Sequence, residues 1–231
     1  MVTGRLREKS RNLRRRVAQV LTGGRSGSSE AMSLTATDDD LLARMRGGDE
    51  AAFAALYRRW QGGIYRYALR MSGSPAVAED VTQDVFMALM EDGGRYDPGR
   101  GPLSSYMYGI ARNKVLRRLE RERGYVPLVV AADDGADDPA WTAGEDPLAD
   151  LARRERVDLV WQAVLALPPH YREVVVLCDL QELTYEEVAA VLGCALGTVR
   201  SRLHRARDLL ATRLRSEAHL PAGRRVGALI R

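Results

Sequence analysis

The stretch that most constrains the fold of this chain runs from Leu183 to Leu210, LTYEEVAAVLGCALGTVRSRLHRARDLL. Thr184 is followed three residues later by Glu187, which is the spacing of a capping box and predicts the start of a helix. Gly193 predicts where this helix ends, because glycine adopts the left-handed conformation of a helix C-terminus without strain. A second helical pattern follows at once, so the stretch predicts a helix-turn-helix.

The second of these helices has separate apolar and basic faces. Its apolar residues recur at alternating spacings of three and four, namely Leu196, Val199, Leu203, Ala206 and Leu210. Its other faces carry Arg200, Ser201, Arg202, His204, Arg205 and Arg207. In a helix-turn-helix, the N-terminal residues of the second helix contact base edges in the major groove of DNA. The alternative is a surface helical hairpin with a solvated basic face, but the cap, the glycine, the stripe and the arginines together favour the DNA-binding motif.

Charge is distributed unevenly along the 231 residues, although 35 basic and 31 acidic side chains leave a formal net charge of only +4. This small excess indicates nucleic acid as a partner only weakly. The first thirty residues are strongly basic, whereas residues 124–150 contain seven acidic residues and no Lys or Arg. The alternation of basic, acidic and basic blocks predicts that the chain is divided into segments with different roles.

Several classes of function have no motif in this sequence. Cys178 and Cys194 have neither CxxC spacing nor a histidine at metal-ligand spacing, which favours two buried thiols over a metal site. No HExxH, Walker loop or nucleophile elbow occurs, so we predict no catalytic residue, no metal and no cofactor. No apolar run approaches the roughly twenty residues that span a bilayer, and no apolar segment follows the basic N-terminus as in a secretory signal. We therefore expect a cytoplasmic protein without membrane insertion that is not an enzyme.

Residues 38–124 show helical periodicity throughout. Asp38 to Asp40 are predicted to cap a short first helix. The stripe of a long second helix consists of Phe53, Leu56, Tyr57, Trp60, Ile64, Ala68 and Met71. A third helix is predicted to bury Ala78, Val81, Val85, Phe86 and Leu89 and to expose acidic and amide side chains. A fourth helix, from Ser104 to about Arg123, is predicted to bury Met107, Ile110, Ala111 and Leu119 and to display Arg112, Asn113, Arg117, Arg118 and Arg121.

The chain as a whole is predicted to be all-α, because no alternating strand pattern of useful length occurs. We divide it into a basic N-terminal extension (1–37), a helical domain (38–124), a flexible acidic linker (125–149), a second helical domain (150–215) and a C-terminal tail (216–231). The extension is rich in Arg, Gly and Ser and is predicted to be mostly disordered. It is either a misassigned start upstream of Met32 or a basic arm that binds DNA phosphates.

The order of motifs in the two helical domains resembles the bacterial RNA polymerase sigma factors of the extracytoplasmic-function (ECF) type, in the sigma-70 superfamily. In the first domain the resemblance rests on AEDVTQDVF (Ala78 to Phe86) and YMYGIARNKVLRRLER (Tyr106 to Arg121). In the second it rests on LPPHYREVVVL (Leu167 to Leu177), LTYEEVAAVLG and GTVRSRLHRAR (Gly197 to Arg207). The resemblance implies a region 2 helical bundle and a region 4 helix-turn-helix joined by the acidic linker.

The resemblance also implies roles for particular residues. The side chains implied to bind the clamp helices of the core polymerase β′ subunit are Asp80, Gln83, Asp84 and Phe86, while region 4 would contact the β flap. Those implied to hold the −10 element as a single strand and help melt it are Tyr106, Arg112, Asn113, Arg117 and Arg118. Family members usually carry Trp at the position of Tyr106. The residues implied to read the −35 element are Arg200, Ser201, His204 and Arg205, since arginine can pair with guanine in a bidentate manner.

The function implied by the resemblance is promoter-specific initiation of transcription by a sigma factor, with an anti-sigma factor as a further partner. The competing hypothesis is a stand-alone helix-turn-helix regulator that binds duplex DNA. It accounts for Leu183 to Leu210 but gives no role to AEDVTQDVF or to the basic fourth helix. An enzyme acting on nucleic acid is disfavoured, because the sequence has no cluster of metal ligands or of acid–base residues.

Overall fold

The computed structural model describes residues 36–92, 95–122 and 147–218, and the regular elements in these ranges are all helical. The N-terminal elements are α1 (Asp38–Arg46), α2 (Glu50–Ser72), α3 (Pro75–Asp92), a 3₁₀ turn (Pro98–Arg100) and α4 (Leu103–Glu122). The C-terminal elements are α5 (Pro147–Leu165), α6 (Pro169–Val175), a π turn (Val176–Leu180), α7 (Tyr185–Leu192) and α8 (Leu196–Ala218). The predicted all-α fold class is confirmed, and the chain divides into two compact units.

Helix α2 forms the centre of the N-terminal unit and packs against α1, α3 and α4. The predicted stripe is the buried side of this helix, although Tyr57 and Trp60 are only partly buried. Trp60 Nε1 donates a hydrogen bond to Asp38 Oδ2 at 3.0 Å, and Arg59 donates to Asp38 Oδ1 at 2.6 Å. These bonds join the start of α1 to the middle of α2.

The cap of α1 differs from the prediction that Asp38 to Asp40 supply it. Thr37 is the N-cap residue, and its Oγ1 accepts a hydrogen bond from Asp40 N at 3.2 Å. The Asp40 carboxylate in turn accepts from Thr37 N at 3.3 Å, which completes a capping box. Because Thr37 is the N-cap residue, the three aspartates lie inside the first helical turn, where they interact favourably with the helix dipole.

Phe86 of α3 is fully buried at the centre of an aromatic cluster. Its ring centroid lies 4.7 Å from that of Tyr57 and 6.4 Å from that of Phe53, to which it is nearly perpendicular. Rings in such arrangements pack favourably beyond the area that they bury. The inclusion of Phe86 among the polymerase-binding residues is therefore wrong for direct contact, because the side chain has no exposed surface.

The buried side of α4 is shifted from the predicted one. Met107 and Ala111 are buried as predicted, whereas Ile110 and Leu119 are partly exposed. Tyr108 and Val115 occupy the core instead. The Tyr108 ring makes edge-on contacts with Trp60 and Tyr67 of α2, and burial raises its pKa to about 12. An aromatic residue thus displaces an aliphatic one from the predicted stripe because α2 offers it two aromatic partners.

In the C-terminal unit, α8 packs against α6 and α5. Of its predicted stripe, Val199, Leu203 and Ala206 are buried, while Leu196 and Leu210 are partly exposed. The helix predicted to start at Pro168–Pro169 and reach Leu180 is present, with its last turn in π conformation.

The end of α5 is capped by an arginine that the sequence analysis did not single out. Arg172 of α6 donates from Nη2 to the carbonyl of Leu165 and, at 3.1 Å, to that of Leu167. These carbonyls lie at the end of α5, where no intrahelical donor is available. Burial lowers the pKa of the guanidinium. The contact fixes the turn between α5 and α6, the two helices against which α8 packs.

The predicted boundaries differ from the helix ends at two points. Helix α5 begins at Pro147, within the predicted linker of 125–149, and α8 continues to Ala218, within the predicted tail of 216–231. The remainder of the linker, the extension up to residue 35 and the tail from residue 219 lie outside the described residues, so their predicted disorder stays a prediction. None of the described helices is long and apolar enough to cross a membrane.

Candidate nucleic-acid interface

The helix-turn-helix starts with the predicted capping box. Thr184 Oγ1 accepts a hydrogen bond from Glu187 N at 3.2 Å, and the Glu187 carboxylate accepts from Thr184 N at 2.8 Å. The cap satisfies amide groups at the start of α7 that have no helical partner. It therefore sets where α7 begins and, through the short turn, where α8 begins.

Gly193 makes the turn between α7 and α8. Its φ angle is +63°, in the left-handed region that side chains with a Cβ rarely adopt. Cys194 N, one residue later, donates to the carbonyl of Ala189 at 3.1 Å. The reversal takes only three residues, Gly193 to Ala195, as the sequence predicted.

The four residues assigned to −35 recognition form one exposed face of α8. Arg200, Ser201, His204 and Arg205 are all exposed, and their spacing places them on adjoining positions of two helical turns. Ser201 Oγ donates to the carbonyl of Thr198 at 3.1 Å. His204 is 82% exposed, and its Nε2 lies 3.6 Å from Asp208 Oδ2 on the next turn. This face has a size and composition suited to the major groove.

Tyr185, which the sequence analysis did not single out, lies beside this face. The Arg200 guanidinium carbon is 5.9 Å from the centroid of the Tyr185 ring, a cation–π distance. The contact restricts the rotamers that Arg200 can adopt. The aromatic residue immediately after the cap Thr184 was the only signal in the sequence that could have indicated this contact.

Arg207 has a different kind of partner from Arg200. Its Nε and Nη2 donate to the two carboxylate oxygens of Asp179, at 3.1 Å and 2.5 Å. The hydrogen bond from the guanidinium to Asp179 raises the pKa of Arg207. Of the basic residues predicted to lie outside the apolar stripe, Arg207 therefore points back to the turn after α6.

The residues implied to bind the −10 element do not all share one face of α4. Tyr106, Asn113 and Arg117 lie on one side of the helix, at spacings of seven and four residues. Arg112 and Arg118 lie on other sides, about a third of a turn away in opposite directions. Three of the five residues thus share one side of α4, spread over about three turns, and Arg118 faces α3.

Arg118 meets the acidic residues that the resemblance assigns to the polymerase. Its Nη2 lies 3.4 Å from Asp80 Oδ2 and 3.3 Å from Asp84 Oδ2. Lys114, which the analysis did not predict, lies 3.7 Å from Asp84 Oδ2. Gln83 is partly exposed between the two aspartates. The basic side of α4 and the acidic side of α3 are thus parts of one ionic cluster.

Tyr106 is supported by a second tyrosine. Its ring centroid lies 5.6 Å from that of Tyr96, which is only 7% exposed. Tyr96 OH donates to Asp39 Oδ1 at 2.7 Å and lies 3.2 Å from the Gly101 carbonyl. Burial, followed by this hydrogen bond, raises the pKa of Tyr96, so the hydroxyl keeps its proton. The loop before α4 is thereby tied to α1, next to the aromatic ring assigned to the −10 element.

Within the described ranges, no group of His, Cys, Asp and Glu is arranged to hold a metal ion. Cys178 and Cys194 are free thiols and are half-buried, so the prediction that both are buried is only partly correct. Burial raises the pKa of Cys178 to about 11, which keeps it protonated at neutral pH. Cys178 therefore does not have the low pKa that a reactive cysteine needs.

Two families match the sequence in the order in which the two units occur. Residues 56–125 match Sigma-70 region 2, and residues 158–210 match Sigma-70, region 4. The first range includes the cluster around Arg118, and the second includes the helix-turn-helix. Together the two ranges account for more than half of the chain.

Individual sigma factors are similar over most of the chain. The ECF RNA polymerase sigma factor SigM of Mycobacterium tuberculosis is 34% identical over 182 residues, which are 76% of this chain and 83% of SigM. The ECF RNA polymerase sigma factor SigE of Mycolicibacterium smegmatis is 38% identical over 168 residues, 71% of this chain but only 63% of SigE. The sigma factor RpoE of Bartonella quintana, solved with the anti-sigma factor NepR, is 25% identical with a TM-score of 0.55 and covers 69% of this chain and 94% of its own.

Proposed function

The chain belongs to the ECF sigma factors of the sigma-70 family, and we propose that it binds core RNA polymerase and directs it to a subset of promoters. In this proposal α4 and the loop before it bind the −10 element, and α8 reads the −35 element. The chain helps to melt the −10 element but makes and breaks no covalent bond itself, because the active site belongs to the polymerase. Its place of action is the cytoplasm, where the polymerase and the promoter DNA are.

The observation that carries this proposal is the combination of two surfaces that a simple duplex-binding regulator does not need. The exposed face around Arg200 suits major-groove reading, and one such face would be enough for a repressor or activator. The N-terminal unit adds a side of α4 that carries Tyr106, Asn113 and Arg117, while Arg118 on another side of the same helix pairs with the acidic side of α3. An aromatic ring and a basic side chain about three turns apart on one side of a helix suit stacking and backbone contacts along a single strand of DNA.

We assign the acidic side of α3 to the polymerase because its carboxylates are accessible. Asp80 is 59% exposed and Asp84 33% exposed, while the opposite side of the helix is buried against α2 and α4. An exposed carboxylate pair attracts a basic partner surface and contributes to the rate of association and to specificity. Its ion pairs with α4 link polymerase binding to the DNA-binding helix.

We further propose that an anti-sigma factor regulates the chain. The support is the likeness to RpoE of Bartonella quintana, which was solved in complex with the anti-sigma factor NepR. Such an inhibitor would cover the surfaces that otherwise contact polymerase or DNA.

In vitro transcription with core polymerase tests the proposal. We expect the purified full chain to produce specific transcripts from a genomic promoter library, and core polymerase alone to produce none of them. A pulldown of core polymerase should succeed with the wild type and weaken with Asp80→Asn and Asp84→Asn combined. If the chain binds duplex DNA tightly but neither binds polymerase nor starts transcription, the stand-alone regulator is the correct reading.

A further inference from the structure

We propose that Asp179 and Arg207 form a positioning pair that holds helix α8 at the correct rotation to read the −35 sequence. Arg207 is then a positioning residue and not a contact to DNA phosphate. The inference rests on the proposed function, because it concerns how the same helix discriminates between sequences. It assigns different roles to arginines that look equivalent in the sequence.

The geometry of the pair is that of a rigid contact. Two guanidinium nitrogens of Arg207 meet the two oxygens of one carboxylate, at 3.1 Å and 2.5 Å. A bidentate contact restricts both the distance and the mutual orientation of its partners, which a single ammonium–carboxylate contact does not. The pair is therefore suited to fix an orientation even though Arg207 itself is 56% exposed.

Asp179 provides a firm anchor for this contact. It lies in the π turn Val176–Leu180, whose first two residues are fully buried. Gln181 N donates to the carbonyl of Val176 at 3.0 Å, and Leu183 N donates to that of Leu177 at 3.1 Å. The carboxylate thus projects from a turn that is closed by backbone hydrogen bonds and attached to the core of the unit.

A second contact on the same side of α8, between Arg200 and Tyr185, also restrains the rotation of the helix. Arg207 follows Arg200 by seven residues, which is two helical turns, so both lie on nearly one line along the helix. Arg200 lies over the Tyr185 ring, and Arg207 pairs with Asp179. Two contacts separated along one line oppose rotation of the helix about its axis. A rotation of 10° moves a side-chain tip by about 1 Å, since tips lie about 5–6 Å from the axis.

A displacement of this size matters for base reading and little for phosphate binding. Bidentate hydrogen bonds to a base edge depend on distance and angle, and they weaken steeply when the angle is lost. Contacts to phosphate are largely electrostatic and tolerate such a shift. Loss of the pair should therefore reduce discrimination between −35 sequences more than it reduces general affinity for DNA.

Single replacements of Asp179 and Arg207 separate a positioning role from a simple charge effect, because the two side chains carry opposite charges. If charge alone mattered, Asp179→Ala would strengthen DNA binding and Arg207→Ala would weaken it. If the pair positions α8, both variants lose affinity for the matched −35 sequence by about two- to fivefold. Glu186→Ala is the matched control, since it removes an exposed carboxylate at the start of α7, in the same unit, that pairs with neither Arg207 nor the residues assigned to −35 recognition.

The experiment measures binding of holoenzyme, made from core polymerase and the full chain, to promoter duplexes with matched and altered −35 sequences over a salt series. The variants are Asp179→Ala, Arg207→Ala, Glu186→Ala and an exchange variant that combines Asp179→Arg with Arg207→Asp. Circular dichroism first verifies that each variant is folded. We expect the same direction of loss for both single variants, recovery in the exchange and an unchanged salt slope for Arg207→Ala.

Three outcomes overturn the inference: opposite shifts for Asp179→Ala and Arg207→Ala, an exchange variant that recovers nothing, or a salt slope lowered by about one in Arg207→Ala. The last result would make Arg207 a phosphate contact. The proposed function is judged separately by the wild type. If wild-type holoenzyme does not distinguish the matched from the altered −35 sequence, the sigma-factor assignment fails independently of the variants.

Discussion

Arg118 of α4 is ion-paired with Asp84 of α3, with its Nη2 3.3 Å from Asp84 Oδ2. The resemblance assigns the arginine to promoter DNA and the aspartate to polymerase, so each side chain is partly neutralised by a residue of the other surface. A polymerase surface that binds Asp84 would compete for it with Arg118. Binding of the polymerase would then leave Arg118 more available to DNA.

This competition predicts opposite changes in two affinities when Asp84 is replaced by Asn. Affinity for core polymerase should fall, because a carboxylate is lost from its binding surface. Affinity of the free chain for single-stranded DNA should rise by about two- to fivefold at low salt, since Arg118 and Lys114 lose a partner. Both are measured by fluorescence anisotropy. Glu79→Gln, at an exposed neighbouring position of α3, should leave the DNA affinity nearly unchanged.

Replacing a base-reading arginine should weaken binding to some DNA sequences more than to others, whereas replacing a backbone-binding arginine should weaken binding to all of them. Arg205→Ala and Arg200→Ala should reduce discrimination between matched and altered −35 sites by about 1–3 kcal/mol. Arg117→Ala should instead weaken binding to all sequences and lower the salt slope by about one. Titration of holoenzyme on both sites over a salt series measures the difference. Equal losses on both sites for Arg200→Ala would contradict its assignment to base reading.

Tyr106 should act in promoter opening through its aromatic ring. Tyr106→Phe should keep nearly full open-complex formation, whereas Tyr106→Ala should lose about 1–3 kcal/mol, the value of one stacked base. Permanganate reactivity of the −10 element reports the opening. Tyr96→Phe is a comparison variant, because it keeps the ring next to Tyr106 and removes the hydroxyl that donates to Asp39. If Tyr106→Ala opens promoters normally, the ring has only a packing role.

The turn of the helix-turn-helix should be sensitive to a single added methyl group. Gly193→Ala should cost about 1–2 kcal/mol in the free energy of unfolding, because φ is +63° there. Gly197→Ala, in the first turn of α8 with open space at its Cβ position, should be neutral or stabilising by up to about 1 kcal/mol. Urea denaturation followed by circular dichroism compares the two. Equal effects would show that backbone strain at Gly193 does not decide the turn.

Asp49 should make the N-terminal unit sensitive to acid. The hydrogen bond from Arg44, followed by that from Ala52 N, lowers the pKa of Asp49 below its usual value of 3.8. Because the folded pKa is lowered, the stabilisation is present above about pH 4 and is lost as the pH falls through the folded value. Asp49→Asn keeps an N-cap and removes the ion pair, at a cost of at most about 1 kcal/mol near neutral pH. Urea denaturation should show this difference shrinking towards pH 3, and a constant difference would exclude the ion pair as its cause.

How far the sequence could predict this structure depends on how local each feature is. The capping box of Thr184 and Glu187 and the buried stripe of Val199, Leu203 and Ala206 depend on residues within a turn or two of each other, and they are as predicted. The stripe of α4 was predicted less well. Tyr108 replaces Ile110 in the core because its partners, Trp60 and Tyr67, belong to α2.

The sequence alone determined that the chain is all-α, that it contains a helix-turn-helix, and which family its motifs match in order. Each of these follows from periodicity, capping and turn residues, which act over a few neighbouring positions. Only the tertiary structure decided which charged residues pair within the chain and which remain accessible to another molecule. Arg118 and Arg207 look like other arginines in the sequence, but they pair with Asp84 and Asp179, 34 and 28 residues away. The physical reason is that the packing of whole helices brings these charges together. A local sequence pattern does not show which distant residues will meet.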